Sequence, residues 1–420
     1  MHFCKLEPLM RAALLSLCLV FVVGCKVKNP NFCEDKPQML CDQTDGGGMA
    51  CEDSGDCTGN EKVCNVPAGV CVGCLVNTDC ATSAPICDTT AHTCGKCTMH
   101  SQCDSKACTP NGECAAETTV AYVDGAVGMD TNGCTLGSPC RSIMVASSKG
   151  KSIIKVAGML DEAVSFGSSS SFTILAEKSA RLTRGGGGTV LEVKDTANIT
   201  VADLTISGGG IGIAMPTGTP QLKLDGVKVT ATTQLAMQIT TGKLTMARSN
   251  IIDNPGGGVQ INGGVFVIVG NTFTNNGTDG ATVGGLYITA AQNAMHRLEF
   301  NSFHRNKTID AQGTGLHCAV NNFVARNNIL YLNGTITNNM QVGGACTHAF
   351  SLVEPNPPAS NIGGDPKFKD GLMGDLHLLP GSPALGGADP AAAITDELAA
   401  KDIDGHTRMS PADIGADEVP

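Results

Sequence analysis

Tryptophan is absent from this 420-residue chain, and it has only three tyrosines. Sugar-binding clefts commonly stack rings on such side chains, so a broad aromatic platform is excluded. Basic residues are also scarce: 28 Lys and Arg face 39 Asp and Glu, giving a net charge of −11. Nucleic acid is therefore excluded as a partner, because its phosphates demand clustered cations. Beyond residue 23 no apolar run exceeds a few residues, which leaves nothing to span a bilayer as a helix. Present in quantity are glycine, 52 residues, and cysteine, 21 residues. So much glycine, a turn residue, speaks against a compact helical enzyme.

The first 24 residues read as a targeting segment. Lys5 and Arg11 precede an apolar run from Ala12 to Val23, too short to cross a membrane comfortably. Its ending, Val22-Val23-Gly24-Cys25, resembles the lipobox of bacterial lipoproteins. That resemblance implies cleavage before Cys25, acylation of its thiol, and a membrane held through the N-terminal lipid. Lys26 follows in place of an inner-membrane retention Asp, which points to the outer membrane or cell surface. Residues 25–50, with Gly46-Gly47-Gly48, read as a tether.

Cys4, Cys18 and Cys25 aside, 18 cysteines remain, an even number, as a fully oxidised exported chain requires. Cys33 and Cys41 close a loop in the tether. Twelve more fall in a module over 51–116. Cys51, Cys57, Cys64 and Cys71 are repeated 23 residues on as Cys74, Cys80, Cys87 and Cys94. Cys97, Cys103, Cys108 and Cys114 form a shortened third copy. Covalent staples must supply what so small a core cannot, and the pairing within each four-cysteine unit has three possibilities. The spacings Cys71-x-x-Cys74 and Cys94-x-x-Cys97 also suit zinc. The module resembles cysteine-rich repeats of Gram-negative surface proteins, loosely similar to epidermal-growth-factor modules, which implies a spacer or binding element.

A different period governs 117–353. An Asn-x-apolar motif recurs as Asn250-Ile251-Ile252, Asn271-Thr272-Phe273, Asn301-Ser302-Phe303 and Asn328-Ile329-Leu330. The anchors Ile206, Val229, Ile252, Phe273, Phe303 and Leu330 are spaced 23, 23, 21, 30 and 27 residues apart. Such a period predicts a solenoid. Each coil is expected to contribute two strands, the second being a glycine corner and an apolar alternation such as Gly258-Val259-Gln260-Ile261 or Gly285-Leu286-Tyr287-Ile288. Asn250, Asn271, Asn301 and Asn328 are expected to stack as an amide ladder. Cys134 and Cys140 are expected to pin an N-terminal cap with a helix over 144–148, and Cys318 and Cys346 to staple adjacent coils.

Tyr122-Val123-Asp124-Gly125, Gly137-Ser138-Pro139-Cys140 and Ile153-Ile154-Lys155-Val156 resemble the opening of pectate-lyase-like proteins. The resemblance implies an all-β, right-handed parallel β-helix solenoid behind the small disulfide-rich module. Gly374-Asp375-Leu376-His377-Leu378, Gly381-Ser382-Pro383-Ala384, Asp402-Ile403-Asp404-Gly405 and Asp413-Ile414-Gly415-Ala416 resemble the ending of the choice-of-anchor Q family. That implies that 354–420 is a cap on the coil stack, and a body shared among surface proteins of differing attachment.

A lyase needs a base beside a neutralised uronate carboxylate, and a hydrolase needs paired carboxylates. The densest candidate is His304, Arg305 and Lys307, followed by Asp310 and His317. Within it His304 would be the base and Arg305 or Lys307 the partner of an acidic sugar. The coils hold no Asp-Asp or Asp-x-Asp run, and Asp253 and Asp279 lie beside turn residues. Asp402, Asp404, Asp413, Asp417 and Glu418 offer calcium-type oxygens but belong to the structural ending. No cofactor and no metal is expected. The sequence thus favours a non-catalytic surface lipoprotein presenting its β-helix for adhesion or for binding polysaccharide or protein. A polysaccharide lyase or hydrolase, and a purely structural envelope element, are the other readings. The lipid claim predicts that a Cys25→Ala protein incorporates no palmitate analogue in metabolic labelling; labelling equal to wild type would refute it.

Overall fold

The computed structural model describes residues 51, 53–309, 314–319, 323–334, 340–391, 394 and 396–420. The targeting segment, Cys25, the tether with Cys33 and Cys41, and Asp310 lie outside the described residues.

The chain divides into two compact units after Lys96. The first holds two copies of one small design, a 3-10 turn followed by a hairpin. In the first copy these are Ser54–Asp56 and Val63–Asn65 with Val70–Val72; in the second, Asn77–Asp79 and Ile86–Asp88 with Thr93–Gly95. Each repeat joins its first cysteine to its third and its second to its fourth: Cys51–Cys64 with Cys57–Cys71, and Cys74–Cys87 with Cys80–Cys94. The third copy keeps this order as Cys97–Cys108 and Cys103–Cys114. Every cysteine of the two zinc-like spacings is therefore in a disulfide. The third repeat belongs to the second unit, so the boundary expected near residue 116 falls earlier. The reason is apolar packing: Ala107 of this repeat is buried with Val120, Tyr122, Leu175 and Ala202 of the coils.

The second unit is a right-handed parallel β-helix of about 8 turns. Strand Val120–Asp124 opens it, followed by the Cys134–Cys140 bridge and a short helix, Ile143–Ser147. Among the described residues, the coils form three parallel sheets of ten, nine and eight strands. A full turn contributes one strand to each, so two strands per coil was an undercount. The missed strands belong to the ten-stranded sheet. They alternate cleanly, with Leu222 and Leu224, Leu244 and Met246, and Phe266 and Ile268 turned into the core.

In the nine-stranded sheet the inward column runs Ile206, Val229, Ile251, Phe273, Phe303, Leu330 and Val353. Ile251, not Ile252, holds the anchor position; Ile252 pairs with Thr230 and Thr274 on the outer face. Successive side chains of a strand point to opposite faces, so one residue of slip exchanges inside for outside.

The same slip moves the ladder. Its members are Ser249, Asn271, Asn301, Asn328 and Ser351, all fully buried. Asn271 Nδ2 donates to Asn301 Oδ1 at 3.0 Å, and Asn301 Nδ2 donates to Asn328 Oδ1 at 3.0 Å. Each amide oxygen also accepts the backbone N–H of the coil before, as Asn301 Oδ1 does from Asn271 at 3.0 Å. Asn250 instead lies half-buried on the outer face, where its Oδ1 accepts from the Thr272 hydroxyl at 2.7 Å. A second, parallel ladder runs Thr232, Asn254, Asn276, Asn306, Asn333 and Gln341, with amide-to-amide bonds of 2.8–2.9 Å. The two ladders bracket the nine-stranded sheet.

The expected cap is mostly something else. Asn361 and Ile362 do extend the last coil, bonding Ser351 and Val353. The chain then turns back along the side of the stack. Leu378, Ala384, Ala388, Ala412 and Ile414 pack on outward-facing Ile329 and Leu352 and on Val269 and Phe300. Outer positions are polar on the earlier coils (Thr183, Ser207, Thr230), whereas apolar Ile252, Ile329 and Leu352 join buried Thr274, Ser302 and His304 where this strap lies.

The ladder register predicts unequal mutants. Asn301→Ala strands two buried donors and should destabilise the coils by about 2–4 kcal/mol. Asn250→Ala should cost less than about 1 kcal/mol. Urea unfolding of both variants checks this; equal losses would contradict the register.

Candidate functional site

Strand Ser302–His304 ends at Arg305, whose φ of 56° bends the chain out of the strand. The bend sends neighbouring side chains to different places. His304 points outward from the nine-stranded sheet and is buried beneath the strap. Its Nδ1 lies 3.0 Å from the Tyr331 carbonyl. Its ring lies parallel to that of Tyr331, with centroids 5.7 Å apart, and meets the Phe368 edge at 5.3 Å. Gly371 passes so close that a Cβ there would come within 2.7 Å of His304 Nε2. Burial, chiefly, with help from the Arg305 charge, pulls the imidazole down to about 4. It is neutral near pH 7 and closed to a polymer.

Arg305 and Lys307 point elsewhere. With Asn275, Gly277, Thr278 and Asp279 they line an open depression of about 340 Å³. Lys307 Nζ is 3.7 Å from Asp279 Oδ1, both largely in solvent, a pairing of little energetic weight. His304 is not among the lining residues. The three side chains nominated for catalysis therefore do not converge. Asp253 is a turn residue with φ of 56°, and its Oδ1 accepts from Asn275 Nδ2 at 3.2 Å. Cys318 is bonded to Cys346 and offers no thiol.

The acidic ending is spent on backbone. Asp402 Oδ1 accepts the N–H groups of Asp404 at 3.0 Å and His406 at 2.6 Å. Asp413 accepts from Gly386 at 2.7 Å and Val419 at 2.9 Å, and Glu418 accepts from Met409 and Asp413 at 2.9 Å. Buried Arg408 donates to the carbonyls of Gly415 and Ala416 at 2.9 Å and stacks over Phe300 at 4.5 Å. His377 bridges Asp375 and Asp404; burial opposes its charge, but these carboxylates outweigh it and raise it to about 8. His377, Asp404 and Asp417 bring ligand-type atoms within 4.8 Å of one another, as do Asp402, Asp404 and His406. Asp402 and Asp417 each already receive backbone N–H groups. The arrangement is explained as the clasp of the strap.

One feature of the coils escaped the sequence reading. The middle residues of the glycine-corner strands form an outward file on the eight-stranded sheet: Ser165, Glu192, Ala214, Gln238, Gln260, Tyr287, His317 and Gly343. Gln238, Gln260 and Tyr287 keep part of their surface in solvent. Tyr287 and His317 stack face to face at 4.7 Å with an interplanar angle of 7°. Their faces are turned along the stack and their edges outward, so the file offers hydrogen-bonding groups more than ring faces. The signal was present in each apolar-x-apolar triplet, whose middle residue must face out.

The family described as right handed beta helix region matches residues 154–294 and 191–356. No curated protein sequence matches the chain. Among solved structures, a crystal structure of pectate lyase Pel9A is similar at 12% identity and a TM-score of 0.34, over 72% of this chain and 96% of that one. At that identity and score the likeness carries nothing about activity.

The buried histidines predict acid sensitivity. Burial also lowers His348, at the end of the core, to about 4. Unfolding lets both bind protons near pH 6.5, so stability is full above 6.5 and falls as pH drops toward 4. The loss is roughly 3 kcal/mol per histidine at most. His304→Phe keeps a ring on Tyr331 without a titrating group and should remove roughly half of the acid slope in Tm. An unchanged slope would show that His304 is not so buried.

Proposed function

We propose that this protein is a non-catalytic β-helix displayed at the cell surface, anchored by lipid at Cys25, that binds polysaccharide or protein. The observation that carries the reading is the dispersal of the catalytic candidates. His304 lies beneath the strap as a neutral ring, while Arg305 and Lys307 face an open depression that lacks it. A base that cannot reach a substrate proton does no general base work. The outward file of the eight-stranded sheet supports a binding role, since Gln238, Gln260 and Tyr287 present amide and phenol groups in register along the coils. Neighbouring parallel strands lie about 4.8 Å apart, a regular spacing suited to an extended ligand. The lipobox-like ending and the resemblance of 354–420 to the choice-of-anchor Q family support surface attachment.

The test uses purified, delipidated protein with pectate, alginate and chondroitin. No unsaturated product should accumulate in ultraviolet absorbance. Gln260→Ala with Tyr287→Ala should weaken retention on whichever immobilised polymer or surface protein binds the wild type. Steady product formation, lost in His304→Ala or Arg305→Ala, would overturn the binding reading in favour of a polysaccharide lyase.

A further inference from the structure

The three disulfide repeats place a hydrogen-bond acceptor at one shared position, and in the third repeat that acceptor is titratable. Ser54, Asn77 and His100 stand 23 residues apart, each opening the 3-10 turn of its repeat. Ser54 Oγ accepts the N–H of Cys64 at 3.2 Å, and Asn77 Oδ1 accepts that of Cys87 at 2.9 Å. His100 Nδ1 accepts the N–H of Cys108 at 3.1 Å. The shared task is to receive the N–H of the repeat's third cysteine, and it requires a lone pair.

At His100 that requirement decides the tautomer. A lone pair on Nδ1 leaves the ring proton on Nε2, which lies 3.1 Å from the carbonyl of Ala176, the last residue of coil strand Ser171–Ala176. The neutral ring satisfies both neighbours, one in the repeat and one in the coils. An imidazolium has two donors, so its Nδ1–H would oppose the Cys108 N–H.

We propose that His100 is a pH-sensitive clasp between the third disulfide repeat and the first coils, closed while the imidazole is neutral and opened by its protonation. The groups around it are of both signs. Lys155, buried on strand Ile153–Ala157, pairs with Glu177 at 2.7 Å, and Asp203 occupies the corner after strand Asn198–Ala202. Lys178 and Asp225 act on Asp203 in turn. Burial and the Lys155 charge disfavour the imidazolium more than Glu177 and Asp203 favour it, and the ring titrates below its ordinary value. The clasp therefore holds above pH 6.5 and is lost as pH falls toward the lowered value. Tyr122 still donates to the Ser105 carbonyl at 2.7 Å, and the apolar contact around Ala107 and Leu175 remains. Opening is accordingly local.

Hydrogen exchange with mass spectrometry on the full mature chain tests this, with rates corrected for the intrinsic pH dependence of exchange. Between pH 7.5 and 5, protection of peptides covering 97–114 should fall in wild type, by at most about thirtyfold, since pH 5 lies about 1.5 units below the ordinary imidazole value at which the open state binds its proton. His100→Asn restores the acceptor used by Asn77 and removes the titration. Its protection should start lower and stay flat with pH, as should His100→Gln. The repeats over 51–96 should be flat in every protein. A wild type with no loss of protection at 97–114, or an Asn and a Gln variant that both keep the wild-type pH dependence, would overturn the proposal.

Discussion

The fold depends on how one backbone corner is satisfied. From strand Asn198–Ala202 onward, each turn passes from the ten-stranded to the nine-stranded sheet through a tight bend whose first residue has left-handed geometry: Asp203, Gly226, Arg248, Gly270, Phe300, Asn327 and Phe350. The next residue is buried in the stack, where an unpaired N–H would be costly. Asn271, Asn301 and Asn328 solve this by accepting the neighbouring coil's N–H, and the Asn271 and Asn301 amides also donate onward to the next Asn. Because the partner is always in the adjacent coil, the corner cannot change length without breaking the column. From strand Asn198–Ala202 onward it spans two residues each time, while the coil from Phe273 to Phe303 takes its extra residues elsewhere. They enter the connections after Thr272–Thr274 and after Leu286–Ile288.

That rigid stack exposes flat sheet faces, and the chain covers part of them with the segments that flank the coils. The third disulfide repeat lies on the first strands of the ten-stranded sheet, and the C-terminal strap lies on the later strands of the nine-stranded sheet. The strap requires close approach. Gly415, at φ of 100°, passes Ile329 where a Cβ would come within 2.6 Å of the side chain. Its acidic residues serve to fold the strap on itself around Arg408. Covering this face is also what removes His304 from solvent, so one packing event both stabilises the coils and takes away a candidate base.

Much of this was legible in the residues alone. The recurring Asn-x-apolar triplets and glycine corners specify a solenoid, since only stacking of identical coils rewards a period of 21–30 residues with strand-forming patterns. The cysteine repeat of 23 specifies a disulfide module by its spacing. A second ladder was equally readable: Asn276, Asn306 and Asn333 repeat the 30 and 27 spacing of Asn271, Asn301 and Asn328.

Other features are decided only in three dimensions. Asn250 and Ser249, or Ile251 and Ile252, are adjacent and chemically alike enough that either could hold the inward place. Only the pairing of Ile252 with Thr230 and Thr274 chooses. Four cysteines admit three pairings, and the hairpin geometry selects first-to-third and second-to-fourth. His304, Arg305 and Lys307 are close in sequence, yet a single left-handed residue parts them and a segment more than 60 residues later buries the first. Sequence by itself determined the repeating coil, because periodicity is local and additive. Tertiary structure decided which faces stay open, because that depends on where distant segments of the same chain find apolar surface to cover.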